Sequence, residues 1–153
     1  MDFNAKRIGI IGGNYPDSSA LKLAEEMGRL IAESGYLLVN GGKEGVMEAS
    51  SRGAKNGGGF VMAILPGMDQ SEANQYVDLA IPTGLGYTRN AQVVLNSDIL
   101  VAIDGSFGTL SEIAFANIYG KKVLGLSTWD IEGVRPLASP QEAIAYINNY
   151  FGK

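Results

Sequence analysis

The chain has 153 residues, 21 of them glycine, with no cysteine, no histidine and a formal net charge of −4. Without cysteine there is no disulfide framework, thiol catalysis, iron–sulfur ligation or cysteine-rich zinc site; without histidine there is no Ser-His-Asp triad, imidazole base or His-ligated metal. A negative chain with no cluster of basic residues disfavours nucleic acid and anionic membranes as partners.

The elements read in chain order as short apolar runs alternating with helical patterns. RIGII (7–11) is a buried strand ending in Gly12-Gly13. Apolar residues at 20, 23, 24, 27, 30 and 31 form one helical face, with Asp17 or Ser18 as cap and Gly35 as stop. YLLVN (36–40) is the second strand, followed by GGKEG, a helix over about 46–55 that ends at Gly57-Gly58-Gly59, and a third strand, FVMAILP (60–66). VDLAIP (77–82) follows a polar segment, 86–96 is helical, and DILVAID (98–104) is another buried strand. GSFGTLSE opens a helix that runs to Tyr119 and stops at Gly120, before the strand KKVLGLS (121–127). Ser139-Pro140-Gln141-Glu142 is a capping box with proline at the first helical position, and it starts the last helix.

Strands and helices alternating at this spacing predict a Rossmann-like α/β fold: a doubly wound, mostly parallel sheet with helices on both faces. Composition and length predict one domain over 1–153, able to bury roughly 70% of its unfolded surface. The start, MDFNAKRIGIIGG, has no signal-peptide core, and no apolar run approaches the ~20 residues of a membrane span, so the expected location is the cytoplasm.

Glycine is about twice as frequent as average, and its positions carry information. Gly12, Gly13, Gly41, Gly42, Gly45, Gly67, Gly84, Gly86, Gly105 and Gly108 fall in loops after predicted strands, the edge where ligands bind in such sheets. Gly35, Gly57, Gly58, Gly59 and Gly120 fall at helix ends and have a simpler use as left-handed stops. The first group is denser than turns require, and it leaves backbone N–H groups open to a phosphate. There is no G-x-G-x-x-G fingerprint, Asn40 stands where a dinucleotide fold ends its second strand in an acid, and there is no Walker A loop.

Two segments add chemistry to glycine. In Asp104-Gly105-Ser106-Phe107-Gly108-Thr109-Leu110-Ser111-Glu112, a strand end runs into a helix start, with amides and the hydroxyls of Ser106 and Thr109 at the positive end of the helix dipole. Glu112 is read either as a site carboxylate or as the partner of Thr109 in a capping box. In Thr83-Gly84-Leu85-Gly86-Tyr87-Thr88-Arg89-Asn90, Arg89 is read either as an anion clamp or as a solvated helix arginine. Gly41-Gly42-Lys43-Glu44-Gly45 is either a packed turn or a further ligand loop.

Asn40-Gly41-Gly42, Gly45-Val46-Met47-Glu48-Ala49, Ile64-Leu65-Pro66, Arg89-Asn90 and Gly105 through Glu112, in that order, resemble the SLOG superfamily. That group includes the Lonely Guy phosphoribohydrolases, long mislabelled lysine decarboxylases, the molybdenum cofactor carriers and, more remotely, the Rossmann-like part of DNA-processing protein A. The Lonely Guy signature is P-G-G-x-G-T-x-x-E, preceded by Arg-Lys, and Gly105, Gly108, Thr109, Glu112 and Arg89 match it. The resemblance implies Arg89 and Glu112 as catalytic pair with the Gly105–Thr109 loop on a 5′-phosphate; taken with the glycine positions, the candidate phosphate or nucleotide site is Gly12, Gly13, Gly41, Gly42, Gly45, Asn90, Gly105, Ser106, Gly108 and Thr109. Asp104, Ser106 and Asn90 depart from the family's Pro, Gly and Lys, and the first loop, Gly12-Gly13-Asn14-Tyr15, is not the usual Gly-Ser form.

Two functions follow from the resemblance. One is hydrolysis of a nucleoside 5′-monophosphate to free base and ribose 5-phosphate, with Glu112 stabilising oxocarbenium character and no cofactor or metal. The other is a non-catalytic carrier or sensor of a phosphorylated ligand, molybdenum cofactor or nucleotide. Lysine decarboxylation finds no pyridoxal-phosphate signature. Members of the superfamily are typically homodimers or higher oligomers, and the apolar helix 109–119 is a candidate interface.

Overall fold

The computed structural model describes residues 4–153. Seven strands form one sheet in the order β4-β3-β2-β1-β5-β6-β7. They are β1 (Arg7–Gly12), β2 (Leu37–Asn40), β3 (Val61–Leu65), β4 (Leu79–Pro82), β5 (Ile99–Ile103), β6 (Lys122–Leu126) and β7 (Val134–Pro136), and every pairing is parallel. Five α-helices flank it: α1 (Ser18–Glu33), α2 (Val46–Asn56), α3 (Asn90–Leu95), α4 (Phe107–Ile118) and α5 (Pro140–Tyr150). The Rossmann-like reading holds. Among the described residues no helix is long and apolar enough to cross a membrane.

The two-residue period of a strand sends alternate side chains to opposite faces. Ile8, Ile10, Ile99, Val101 and Ile103 join one core beneath α1, α2 and α5. Ile11, Val39, Leu100 and Ala102 join a second core with Val93 and Val94 of α3 and Ile113 and Ala116 of α4. Both faces of the central strands are therefore dry, which is why they read as unbroken apolar runs.

Helix ends follow the local chemistry. Asp17 caps α1 by accepting the Ala20 N–H at 2.8 Å, and Gly35, at φ 79°, lets the chain leave it. Ser139 accepts the Glu142 N–H at 3.2 Å, while the Glu142 carboxylate reaches one residue past the cap, to the Ala138 N–H at 2.8 Å. The segment 86–96 divides into a 3₁₀ turn, Gly86–Arg89, and the short α3.

Strand β7 is an addition to the predicted set. Val134-Arg135-Pro136 carries no apolar run, and a sheet edge needs none, because one side of the strand faces no partner strand.

Glycine also has a use that loop position does not reveal. Gly28 of α1 and Gly53 of α2 face each other's helix: a Cβ on Gly28 would strike the Ser50 carbonyl, and one on Gly53 the Glu25 carbonyl. The two helices thus pack backbone to backbone.

β1 lies between β2 and β5, so the chain winds outward in both directions from the β1–β5 pair. At their carboxyl ends Gly12 pairs with Ile103, and the loops that follow part to opposite faces of the sheet, opening a crevice.

Candidate functional site

A cleft of about 710 Å³ occupies that crevice. Of the residues predicted for the site, Gly12, Gly13, Gly41, Arg89, Asn90, Gly105, Ser106, Gly108, Thr109 and Glu112 line it. Gly42 and Gly45 do not, because both serve packing. A Cβ on Gly42 would meet Ala63 and Leu65, and one on Gly45 would meet the carbonyls of Gly13 and Asn14. Asn40 explains the order of this loop. Fully buried, its side chain accepts the Gly42 N–H at 2.9 Å and donates to the Met47 carbonyl and the hydroxyls of Ser50 and Ser51 at 3.1, 3.2 and 2.9 Å. An acid there would bring no N–H to these three acceptors, so Asn40 is a staple between β2 and α2.

The floor of the cleft is the turn from β5 into α4. Asp104 (φ 52°) and Gly105 (φ 107°) both have left-handed backbone, and a Cβ on Gly105 would overlap the Thr109 side chain. Proline, fixed near φ −65°, cannot adopt the Asp104 conformation, which accounts for the departure from the Lonely Guy signature. The Thr128 hydroxyl donates to the Asp104 carbonyl at 2.6 Å and the Trp129 indole N–H to the Ser106 carbonyl at 3.2 Å, bracing the turn from behind.

Helix α4 starts at Phe107, with Ser106 as N-cap and no side chain bonded to its first amides. Thr109 is consequently the third helical residue and Glu112 the sixth, so the Thr109–Glu112 capping box does not form. The N–H groups of the first turn therefore have no side-chain cap and stand at the positive end of the helix dipole, an arrangement able to accept an anion.

Asn90 holds the neighbouring wall. Its side chain donates to the Ser111 hydroxyl at 3.1 Å and the Gly108 carbonyl at 3.4 Å, and Ser111 donates to the same carbonyl at 2.6 Å, tying α3 to the first turn of α4. The lysine of the family pattern would bring a charge on a longer, flexible stem in place of this short neutral amide.

Arg89 is buried, which overturns its reading as a solvated helix arginine. One terminal nitrogen, Nη1, donates to the carbonyls of Gly41 and Ile64 at 2.8 and 2.7 Å, and Nε is buried without a partner. The side chain, set in the segment after β4, therefore ties the loop after β2 to the end of strand β3. Burial pushes its pKa down, opposed by the charge of Glu112 and by Tyr87.

Glu112 is buried too, and no ion pair to Arg89 forms within bonding distance among the described residues. Burial pushes its carboxyl up to about 8, with the Arg89 charge acting the other way at longer range. Burial thus favours the protonated, neutral carboxyl over the carboxylate.

Composition and spacing missed three side chains at the mouth: Tyr15, Tyr87 and Phe107. The available signal was an aromatic residue in each of three glycine-rich loops, where no core exists to take it. Ser111 was missed as well, and a serine inside a helix gives no sequence signal of its own.

Over residues 5–150 the chain matches the model of the SLOG cluster4 family. An uncharacterized protein of Archaeoglobus fulgidus is 45% identical over 141 residues, 92% of this chain and 93% of that one. A probable cytokinin riboside 5′-monophosphate phosphoribohydrolase of Oryza sativa subsp. japonica is 32% identical over 102 residues, 65% of this chain and 43% of the rice protein. The chain thus spans less than half the length of that relative. Among solved structures, the molybdenum cofactor binding protein of the phototrophic bacterium Rippkaea orientalis superimposes with a TM-score of 0.92 at 35% identity, over 98% of this chain and 99% of that one. Sequence motifs, fold and relatives converge: the chain belongs to the SLOG cluster4 family.

Proposed function

We propose that the cleft holds a small phosphorylated ligand, a pterin cofactor such as molybdenum cofactor or a nucleotide, and that the protein acts as its carrier. The phosphate lies against the free amides at the start of α4, where the dipole favours an anion. Glu112 carries this reading. Its carboxyl is buried in the cleft wall, makes no ion pair with Arg89 among the described residues, and is pushed by burial toward the neutral form, which does not repel a phosphate and offers an O–H to it. Stabilising an oxocarbenium ion calls for the opposite, an ionised carboxylate. Near full-length similarity to the Rippkaea orientalis molybdenum cofactor binding protein supports the same reading.

A second reading is hydrolysis of nucleoside 5′-monophosphates, favoured by the arrangement of Arg89 and Glu112 in one cleft with the Gly105–Thr109 loop and by the similarity to the rice protein. The two readings separate at Glu112. Purified protein is analysed by mass spectrometry for a co-purifying pterin or nucleotide, then incubated with AMP, GMP and cytokinin riboside monophosphates while free base is quantified. A carrier retains ligand, releases no base, and binds with unchanged affinity after Glu112→Gln, because the amide replaces a neutral carboxyl at pH 7. A hydrolase releases base at a rate that climbs as pH approaches 8, and Glu112→Gln abolishes it. Base release with that pH dependence replaces the carrier reading with the enzymatic one.

A further inference from the structure

Aromatic rings are placed against the usual physics at one point of this surface. Burying a ring removes 150–250 Å² from water, so soluble proteins tuck most of each ring away. The three most exposed aromatic residues among those described are Tyr15 (92%), Tyr87 (87%) and Phe107 (80%). All three line the same cleft, and each stands on the segment after a different strand: β1, β4 and β5. Tyr150 and Tyr119, the next most exposed, are only about half open, at 50% and 46%.

The position of the rings within the cleft divides it by chemistry. The inner wall carries the polar groups, Arg89, Asn90, Thr109 and Glu112, all nearly buried. The rim carries the rings. Phe107 is the first residue of α4, so its ring stands beside the amides that face a phosphate. That ring is braced by Trp129, 6.3 Å away and tilted by 33°, and Trp129 is itself anchored to the Ser106 carbonyl. Tyr87 lies two residues before Arg89 and close enough to influence its charge.

We infer that Tyr15, Tyr87 and Phe107 form a stacking rim that selects phosphorylated ligands bearing a planar heterocycle, with the ring at the mouth and the phosphate at the start of α4. The inference rests on the phosphorylated-ligand reading above. Stacking on exposed aromatics is tolerant of ring identity, because every heterocycle has a π-face, and it depends little on hydrogen-bond pattern. The rim therefore selects for the presence of a ring system, and a fused pair covers more of it than a single ring.

The test compares ligands that share the phosphate and differ in the ring. Wild-type protein, Tyr87→Ala and Tyr15→Ala are titrated with GMP, neopterin monophosphate and ribose 5-phosphate by calorimetry. Quenching of Trp129, the only tryptophan in the chain, is followed in parallel. Both tyrosines are exposed, so these variants fold. Wild type is expected to bind one or both ring-bearing ligands about tenfold or more tighter than ribose 5-phosphate. Each tyrosine variant should shrink that ratio while leaving ribose 5-phosphate affinity unchanged. Equal affinity for all three ligands, or variants that keep the ratio, overturns the rim and leaves the phosphate site standing. If none of the three binds, the phosphorylated-ligand reading fails and the rim fails with it.

Discussion

The α1–α2 crossing and the β5–α4 turn both depend on glycine, for opposite physical reasons. At the crossing, Gly28 and Gly53 remove side chains so that two helix backbones touch, and the space is filled by protein. At the cleft, Gly13 and Gly108 have no protein atom closer than 3.6 and 3.8 Å to where a Cβ would stand, and the space is left open. Both glycines have ordinary φ, so nothing in their backbone demands glycine. These four glycines therefore form two populations: one is required by the fold, and the other is demanded by neither packing nor backbone.

That contrast is most easily broken at the crossing. Gly53→Ala drives a methyl into the Glu25 carbonyl, a rigid backbone group that cannot rotate away. Overpacking of this kind costs about 3 kcal/mol, well beyond the roughly 1 kcal/mol by which alanine exceeds glycine in helix propensity. For a chain of this size the melting temperature should fall by about 6–12 °C, measured by calorimetry or circular dichroism. A variant as stable as wild type would mean that the helices can slide apart at no cost.

The next effect is the pH dependence written by Glu112. Its carboxyl ionises near the ordinary value when unfolded and at about 8 when folded. Between those values the folded state holds a proton that the unfolded state has lost. Stability therefore falls as pH rises through that window, by up to about 1.4 kcal/mol per pH unit, and levels off above it. Glu112→Gln removes this slope, so the difference between variant and wild type should widen from pH 5 to pH 8 in denaturant titrations. Parallel pH profiles would show that Glu112 ionises normally and would remove the main support for the carrier reading.

Gly108→Ala tests the open population. The methyl meets only the Asn90 side chain, at 3.8 Å, and α4 loses nothing by it. Stability should stay level or rise by less than about 1 kcal/mol, while affinity for GMP and ribose 5-phosphate drops about tenfold, or about 1.4 kcal/mol, because the methyl intrudes on the amides. A loss of stability comparable to that of Gly53→Ala would merge the two populations into one.

The sequence made part of this legible. The central strands were readable because both faces are buried and leave uninterrupted apolar runs, as in RIGII and DILVAID. The capped ends of α1 and α5 were readable because Asp17 and Ser139 act within three residues of where they stand. β7 was not, since three residues at an edge carry no pattern. Gly28 and Gly53 look like any helix glycine until the partner helix is known. The site was legible in membership and obscure in role. Arg89 was found by its neighbours, yet its burial depends on the Gly41 and Ile64 carbonyls, 48 and 25 residues away. Glu112 was found by spacing, but whether Thr109 caps a helix depends on the helix beginning two residues earlier, at Phe107. Long-range contacts and a shift of nearly one helical turn are what a local pattern cannot carry.

The smallest effect concerns a cleft residue that is not glycine. Asp104 places a carboxylate in the lining of the cleft for which a phosphorylated ligand is proposed, and it does so from a backbone at φ 52°. Asparagine accepts left-handed backbone as readily as aspartate, so Asp104→Asn removes the charge and keeps the turn. A unit charge near a phosphate at a hydrated surface is worth about 1 kcal/mol or less, so phosphate-bearing ligands should bind about two- to fivefold tighter to the variant. The gain should fade as salt is raised from low to about 1 M, where the screening length drops to about 3 Å, and the melting temperature should not move. A gain that survives high salt would point to a direct contact of Asp104 with the ligand. A loss of affinity would mean that the carboxylate accepts hydrogen bonds from the ligand's ring or sugar, making Asp104 a recognition residue in the place where the family pattern has proline.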